Sequence, residues 1–328
     1  MSYKPLIIIM GEPYSIFLEI FFKTYKKFIK NRMKLPVVLI GSSEQLIKQM
    51  NFFNYNFKIR YLKINENLNE LNNRQINLIN IELYSEKIFT KNFKDSNLYI
   101  EKCFSTGLNL LKNKKVIGII NGPVSKIKFL KKKFSGITEY ISHKTNSKNT
   151  SMLIFNENLS VSPLTTHVPL KYVAKEINKT IIVKKVLLLN NFFKKVVKKK
   201  AKIAILGLNP HCETTDKYSE EKSIILPAVN DLRKKSIDIK GPFPADTFFL
   251  RENYKNFNLV FGMYHDQVLT PIKTLFGFDA INITVGLPFV RITPDHGTNE
   301  EMVSKNLSDP KSLIKSLNFF EQLHENKA

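Results

Sequence analysis

The sequence predicts an α/β protein with an open sheet. Short runs rich in β-branched residues alternate with longer amphipathic stretches, which is the pattern of strands joined by helices. Several predicted strands end in loops rich in Gly, Pro and His, where open α/β sheets bind their ligands. The 328 residues are 43% hydrophobic and 24% charged, as in ordinary globular chains. At roughly 150 residues per domain, the length corresponds to two domains or one large domain.

The individual elements follow from local patterns. Strands are predicted where apolar and β-branched residues cluster in short runs, at 6–10, 37–40, 58–63, 116–120, 202–206, 259–261 and 280–284. Helices are predicted where apolar residues recur at helical spacing, at 15–32, 44–50, 98–112, 177–198, 220–234 and 310–325. Asp309 and Pro310 fit the cap and first position of the last helix. The Asn- and Tyr-rich segment 51–95 gives no assignment.

Several classes of protein are disfavoured. No stretch approaches the roughly 18 apolar residues of a membrane span, and the apolar run at 6–10 is too short for a signal sequence. Cys103 and Cys212 lie too far apart to form a disulfide framework. The sequence therefore predicts a cytoplasmic protein without membrane association.

The net charge of +23 raises the question of nucleic-acid binding. Lysine occurs 45 times and is scattered, whereas arginine, which suits bidentate phosphate contacts, occurs six times. Abundant Lys and Asn with no Trp is typical of an AT-rich genome rather than of a selected basic surface. We therefore expect no nucleic-acid partner.

Three histidines occupy equivalent positions in Gly/Pro/His-rich loops: His211 and His265 follow predicted strands, and His167 follows the apolar segment around Val161. Their separations, 44 residues (167 to 211) and 54 residues (211 to 265), suit ligands from separate strand ends. Three converging imidazoles with an open position form a catalytic site for zinc or a similar ion, and Asp246 or Asp266 could orient them. The spacing alone leaves a structural role, as helix caps or polar core residues, equally open.

A second polar group comprises Lys273, Asn282 and Arg291, which are spaced nine residues apart around a predicted strand and the loop 286–289. A lysine, an amide and an arginine suit a phosphate or carboxylate of a substrate. Taken alone, ordinary surface polarity explains these three residues better.

Several motifs, in order along residues 115 to 300, together closely resemble the 4-hydroxythreonine-4-phosphate dehydrogenase family of pyridoxal-phosphate biosynthesis. The five main motifs are Thr165-Thr-His-Val-Pro-Leu170, Gly207-Leu-Asn-Pro-His211, Gly241-Pro-Phe-Pro-Ala-Asp-Thr247, Tyr264-His-Asp-Gln267 and Asn282-Ile-Thr-Val-Gly-Leu-Pro288. Asn121-Gly-Pro-Val-Ser-Lys126 and Asp295-His-Gly-Thr298 also fit.

The resemblance implies an NAD- or NADP-dependent oxidation of 4-phosphooxy-L-threonine at its C3 hydroxyl. The product, 2-amino-3-oxo-4-phosphooxybutanoate, would then decarboxylate to 3-amino-1-hydroxyacetone phosphate. It also implies an isocitrate/isopropylmalate dehydrogenase-like fold with two α/β/α domains, a shared central mixed sheet and a cleft between the domains. We expect residues 1–128 and about 286–328 to form domain 1, and about 129–285 to form domain 2, with most metal and substrate residues.

Site residues are implied by the same resemblance. His167, His211 and His265 would bind one divalent ion (Zn, Co, Mg or Mn), with His265 acting across a homodimer. Lys273 and Asp246 are the expected catalytic residues. Substrate contacts are expected from Thr138, Lys273, Asn282 and Arg291. By the same resemblance, the loop His296, Gly297 and Thr298 would contact the cofactor. No G-x-G-x-x-G turn is present. A helix-capping role is the alternative for His296.

Some positions depart from the family pattern. Two glycines of the N-terminal signature, which begins at Gly11, are replaced by Ser15 and Phe17. A substrate-contacting His is replaced by Ile137, and the glycine-rich tail after His211 reads 212–216 Cys-Glu-Thr-Thr-Asp. Three interpretations remain: a divergent active enzyme, a paralogue for another phosphorylated or carboxylated hydroxy acid, or a catalytically weak ligand-binding protein.

Overall fold

A computed structural model describes residues 4–91, 95–125, 129–130, 133–134, 136–212, 219–277 and 279–325. Its strands, in chain order, are β1 (Leu6–Ile9), β2 (Val37–Gly41), β3 (Ile59–Tyr61), β4 (Ile76–Asn80), β5 (Gly118–Asn121), β6 (Ser151–Phe155), β7 (Ser160–Thr165), β8 (Ile203–Leu206), β9 (Ile239–Phe243), β10 (Leu259–Tyr264), β11 (Ile281–Val285) and β12 (Val290–Pro294).

The helices are α1 (Phe17–Thr24), α2 (Lys30–Arg32), α3 (Ser43–Phe52), α4 (Ser96–Lys112), α5 (Ile137–Lys144), α6 (Leu170–Glu176), α7 (Lys179–Phe192), α8 (Leu226–Lys234), α9 (Ala245–Phe248), α10 (His265–Phe276) and α11 (Lys311–Glu325). π-helical turns extend α1 to α2 (Tyr25–Ile29), follow α7 (Phe193–Val197) and precede α8 (Glu221–Ile225). Two 3₁₀ segments, Leu250–Asn256 and Glu300–Met302, follow α9 and β12. None of the helices in the described ranges combines the length and apolar character needed to cross a bilayer.

The chain divides into two compact units. Unit 1 comprises Met1–Tyr140 and Phe289–Ala328, and unit 2 comprises Ile141–Pro288. Thr138 lies in unit 1 in this division; the domain boundaries expected near 128 and 286 stay a prediction.

In unit 1 the strand order is β3-β4-β2-β1-β5-β12, and these strands all run parallel to their neighbours. The central strands β1, β2 and β5 are buried along their whole length, and helices α1, α4 and α11 pack against the unit's elements. A parallel sheet covered by helices must be apolar on both faces, which explains the uninterrupted run 6–9 Leu-Ile-Ile-Ile.

In unit 2 the order is β11-β6-β7-β10-β8-β9. β11, β6 and β7 pair in antiparallel fashion, and β7, β10, β8 and β9 pair in parallel. Val161, Ala204, Val260 and Val268 belong to an apolar core that joins the parallel strands to α9 and α10. The mixed α/β class predicted from the sequence is therefore confirmed.

Strands and helices that the sequence pattern does not predict are β4, β6, β7, β9, β12, α5, α6, α9 and α10. The most consequential difference is α10, because it begins at His265 and also carries Lys273. Lys273 therefore lies on a helix, Asn282 on β11 and Arg291 on β12, rather than around a single strand and loop.

Candidate active site

One edge of unit 2 collects most of the predicted metal and catalytic residues. β7, β10, β8 and β9 are parallel neighbours in that order. His167, His265, His211 and Asp246 follow their carboxyl ends in the same order. Carboxyl ends of parallel neighbours meet at one edge of a sheet, so the backbone brings these four residues to the same region.

The loop that presents His211 is anchored by a buried carboxylate. Glu221 accepts hydrogen bonds from the backbone N–H of Leu208 (2.7 Å) and of Asn209 (2.8 Å), and from Asn209 Nδ2 (2.9 Å). Burial raises the pKa of Glu221, but the Asn209 and Leu208 hydrogen bonds outweigh it, so the pKa is lowered overall. His211 itself adopts a left-handed backbone with φ of 58° and projects a side chain that is 72% exposed.

Gln267 ties the His265 segment to the His211 loop. Its Oε1 accepts a hydrogen bond from Met263 N (2.7 Å), and its Nε2 donates to Gly207 O (2.6 Å). Sequence reasoning assigned no role to Gln267 or Glu221. The signal for Gln267 was its place in the Tyr264-His-Asp-Gln267 motif, whereas Glu221 had no local signal.

Carboxylates accompany two of the histidines. His265 Nδ1 lies 2.7 Å from Asp266 Oδ1, and His211 Nδ1 lies 3.7 Å from Asp246 Oδ2. A carboxylate at Nδ1 orients an imidazole so that Nε2 remains available to a ligand. Both carboxylates that the sequence proposed as histidine partners are thus near an imidazole, Asp266 more closely.

The donor chemistry of this edge suits a divalent transition metal, since imidazole nitrogens oriented by carboxylates are typical ligands. Within the described ranges, no three His, Cys, Asp or Glu side chains come close enough to hold one ion. The metal role of His167, His211 and His265 stays a prediction.

Lys273 and Asn282 lie elsewhere in unit 2. Lys273 is exposed near the end of α10, whereas Asn282 on β11 is half-buried and pairs with Ile154. The Asn282 Oδ1 atom is buried and has no hydrogen-bond partner in the described part of the chain. A buried acceptor in this state calls for a donor from a ligand or a water.

In unit 1 a buried arginine is held by two side chains. Arg291 has no exposed surface; its Nε donates to Asn121 Oδ1 (2.8 Å) and its Nη1 to Thr138 Oγ1 (3.0 Å). Burial lowers the pKa of Arg291 to about 9, opposed by the nearby Glu139 carboxylate. Arg291 therefore stays protonated at neutral pH. The structure thus joins the predicted pair Thr138 and Arg291 and adds Asn121, which the sequence marked only as part of a loop.

The predicted cofactor loop contacts one of the altered positions. The rings of Phe17 and His296 lie 6.0 Å apart, and Ile16 N donates to Thr298 O (3.2 Å). His296 Nε2 is buried without a hydrogen-bond partner among the described residues, and burial lowers the pKa of His296, which favours the neutral imidazole. Asn299, not His296, precedes the following 3₁₀ turn, which argues against the capping alternative.

The retained glycine of the N-terminal signature has a steric reason. Gly11 has a φ of 76°, and a Cβ atom there would lie 2.4 Å from Pro123 O. The same two segments are joined by a hydrogen bond from Glu12 N to Pro123 O (2.8 Å). Only glycine therefore allows position 11 to come this close to Pro123. This contact positions the loop that begins at Asn121. Lys126, at the end of that loop's motif, and the tail 213–216 lie outside the described residues.

Comparison with known proteins identifies relatives over nearly the whole chain. A family model described as pyridoxal phosphate biosynthetic protein PdxA matches residues 32–320. A 4-hydroxythreonine-4-phosphate dehydrogenase of Sulfurihydrogenibium is 37% identical, covering 95% of this chain and 96% of the relative. A protein named putative D-threonate 4-phosphate dehydrogenase from Oceanobacillus iheyensis is 30% identical, covering 97% of each.

Solved structures also match this chain over nearly its whole length. The structure of a putative 4-hydroxythreonine-4-phosphate dehydrogenase from Salmonella typhimurium matches with a TM-score of 0.85 at 28% identity, covering 98% of this chain and 100% of that chain. Isocitrate dehydrogenase from Methylococcus capsulatus matches with a TM-score of 0.50 at 9% identity, covering 98% of this chain and 86% of that chain, and so indicates a shared fold alone.

Proposed function

The chain belongs to the PdxA family of pyridoxal phosphate biosynthetic proteins, and on this premise we propose that it is an NAD-dependent oxidoreductase acting on 4-phosphooxy-L-threonine. The observation that carries the proposal is the near full-length match to a dehydrogenase of the corresponding name. NADP is the alternative cofactor.

The proposed reaction has two steps. In the first, the C3 hydroxyl loses its proton and C3 loses a hydride, which gives 2-amino-3-oxo-4-phosphooxybutanoate. In the second, the C1–C2 bond breaks, CO2 leaves, and a proton is taken up at C2 to give 3-amino-1-hydroxyacetone phosphate. The bound nicotinamide would accept the hydride, and a divalent ion, zinc or cobalt by preference of imidazoles, would polarise the C3 oxygen.

Arg291 and Thr138 supply binding from unit 1. Because Arg291 is cationic and already held by Asn121 and Thr138, it offers an anionic substrate group a donor of fixed direction. Fixing the anion restricts the motion of the reacting carbon, which is an entropic contribution to rate. Because Arg291 has no exposed surface, a substrate anion would reach it only where the groups that cover it move.

Asp246, Lys273 and Asn282 are the groups proposed for unit 2. Asp246 lies beside His211 and is exposed enough to accept a proton or to orient the imidazole. Lys273 contributes a cation for the substrate and for proton transfer, and Asn282 presents an unsatisfied buried oxygen to a donor of the substrate. His167 and His211, with His265 of the partner subunit in a homodimer, would hold the divalent ion.

A second candidate substrate is another phosphorylated hydroxy acid, and D-threonate 4-phosphate is the specific case. The Oceanobacillus relative of that name covers as much of the chain as the threonine-type relative does, although its identity is lower, 30% against 37%. Ile137 precedes Thr138 at the start of α5 and replaces a polar donor with an apolar side chain. A changed contact at this position favours testing both acids.

The test follows NADH absorbance with purified protein, NAD and 4-phosphooxy-L-threonine or D-threonate 4-phosphate, with and without added Zn²⁺ or Co²⁺. We expect metal-dependent turnover of the threonine substrate, and we expect His211→Ala to abolish it. His324→Ala, on helix α11, is the control and should preserve turnover. Faster turnover of D-threonate 4-phosphate would transfer the assignment to the second candidate. Metal binding without turnover of either acid would instead support a ligand-binding protein.

A further inference from the structure

A cleft in unit 2 adjoins the segment of Asp246 but is lined by other residues. It encloses about 670 Å³, within the range of small-molecule sites. The cleft lies beside β9, the outermost strand of unit 2 in the described strand order. It therefore occupies a different part of the unit from β11, which carries Asn282.

The floor of this cleft is aromatic. Phe243, Phe248 and Phe257 line it, and the centroids of their rings lie 5.3 Å (Phe243 to Phe248) and 5.6 Å (Phe257 to each of the others) apart. The three ring planes are inclined to one another by 44° to 69°, so a guest meets both ring faces and ring edges. An aromatic guest suits such a surface, because aromatic rings pack well both offset-stacked and edge-to-face.

The rim of the cleft is cationic. Lys240 is the register partner of Ala204, and Lys202 lies two residues before Ala204, so both lysines belong to the same face of the sheet. Both are exposed, and in the described part of the chain neither forms an ion pair, although Asp238 lines the same cleft. Two lysines against one aspartate leave the rim net positive, and Asp238 can accept a hydrogen bond from a ring N–H or O–H.

We propose that this cleft binds a planar heteroaromatic phosphate, with the ring on the phenylalanine floor and the phosphate between Lys202 and Lys240. Phosphate matches two cations better than a carboxylate does, because it carries more charge and more acceptor oxygens. Pro244 and Thr247, on either side of Asp246, also line the cleft. An occupant would thus contact the segment that carries Asp246.

Pyridoxine 5′-phosphate is a suitable probe, because it has a pyridine ring and a phosphate but no aldehyde that would react with lysines. The chain has no Trp, so fluorescence of the probe can be followed by anisotropy without tryptophan background. We expect saturable binding of one probe per chain, weakened about tenfold by Lys202→Gln and by Lys240→Gln, as for loss of one charge-assisted contact. Both lysines are exposed, so neither change threatens the fold.

Lys194→Gln is the matched control, since it removes one exposed charge that does not line the cleft. An equal loss in Lys194→Gln would show attraction to the overall positive charge and overturn the proposal. Displacement of the probe by 4-phosphooxy-L-threonine would place it in the substrate site instead. Inorganic phosphate that competes as strongly as the probe would refute the role of the aromatic floor, and absence of binding would refute the site.

Discussion

The polar groups of units 1 and 2 differ in burial and in how firmly the chain fixes their orientation. In unit 1, Arg291 is fully buried and its donors are already directed by Asn121 and Thr138. In unit 2, His211 is 72% exposed and His167 is exposed as well. A buried cation is oriented by the chain before a ligand arrives, whereas exposed imidazoles take a fixed arrangement only when something joins them.

This difference indicates which substitutions should change both stability and activity and which should change activity alone. A change to Arg291 or its partners alters both, because the same contacts serve folding and binding. A change to an exposed histidine alters activity alone, because few native contacts are lost. Three substitutions test the buried groups, and His211→Ala, described above, tests an exposed histidine.

The largest effect is expected for Arg291→Met, which removes the cation and leaves Asn121 Oδ1 without its charged donor. We expect kcat/KM to fall by about 10²–10³, as for loss of a buried charged contact, and the free energy of unfolding to fall by about 1–3 kcal/mol. Steady-state kinetics and urea unfolding measure the two effects. Arg74→Met, at an exposed arginine of unit 1, is the control; unchanged kinetics in Arg291→Met would remove Arg291 from the site.

A smaller effect is expected for Asn121→Ala, which keeps the cation but removes the acceptor of Arg291 Nε. Loss of one hydrogen bond to a charged group corresponds to about 1.5–3 kcal/mol, so kcat/KM should fall by about ten- to a hundredfold. Because Asn121 acts through the direction of Arg291, we expect the change mainly in KM. A fall in stability with KM and kcat both preserved would make Asn121 purely structural; Asn109→Ala, exposed on α4, is the control.

The smallest effect is expected for Glu221→Gln, and it depends on pH. The pKa of Glu221 is lowered in the folded chain, so its contribution to stability is present above the ordinary value of 4.5 and is lost as pH falls through the lower folded pKa. Thermal unfolding from pH 7 to pH 3 should show a deficit of about 1–2 kcal/mol in Glu221→Gln that closes in acid. A deficit that is independent of pH, or equal in the exposed control Glu157→Gln, would count against the carboxylate as the anchor of the His211 loop.

Local pattern predicted the strand-end histidines, because a strand and the loop after it are neighbours in sequence. It did not predict α10, since Pro271 interrupts the helical pattern, or β12, where Arg291 stands in the middle of a short strand between Pro288 and Pro294. Pro163 similarly interrupts the strand pattern of β7, so this strand was not predicted.

Contacts between segments that are distant in sequence could not be predicted, for a different reason. Asn121 meets Arg291 across 170 positions, and Gln267 meets Gly207 across 60. No periodicity encodes such pairs. Spacing and residue type indicated Arg291, the family resemblance supplied Thr138, and the structure supplied Asn121, Glu221 and Gln267.

The approach of Gly11 to Pro123 has a consequence for mutational tolerance. Ser15 and Phe17 show that other glycine positions of the N-terminal signature accept side chains in this chain. Position 11 does not, because even an alanine methyl would meet the Pro123 carbonyl at 2.4 Å. In a library that varies residues 11–19, we therefore expect position 11 to be closed to every substitution, alanine included.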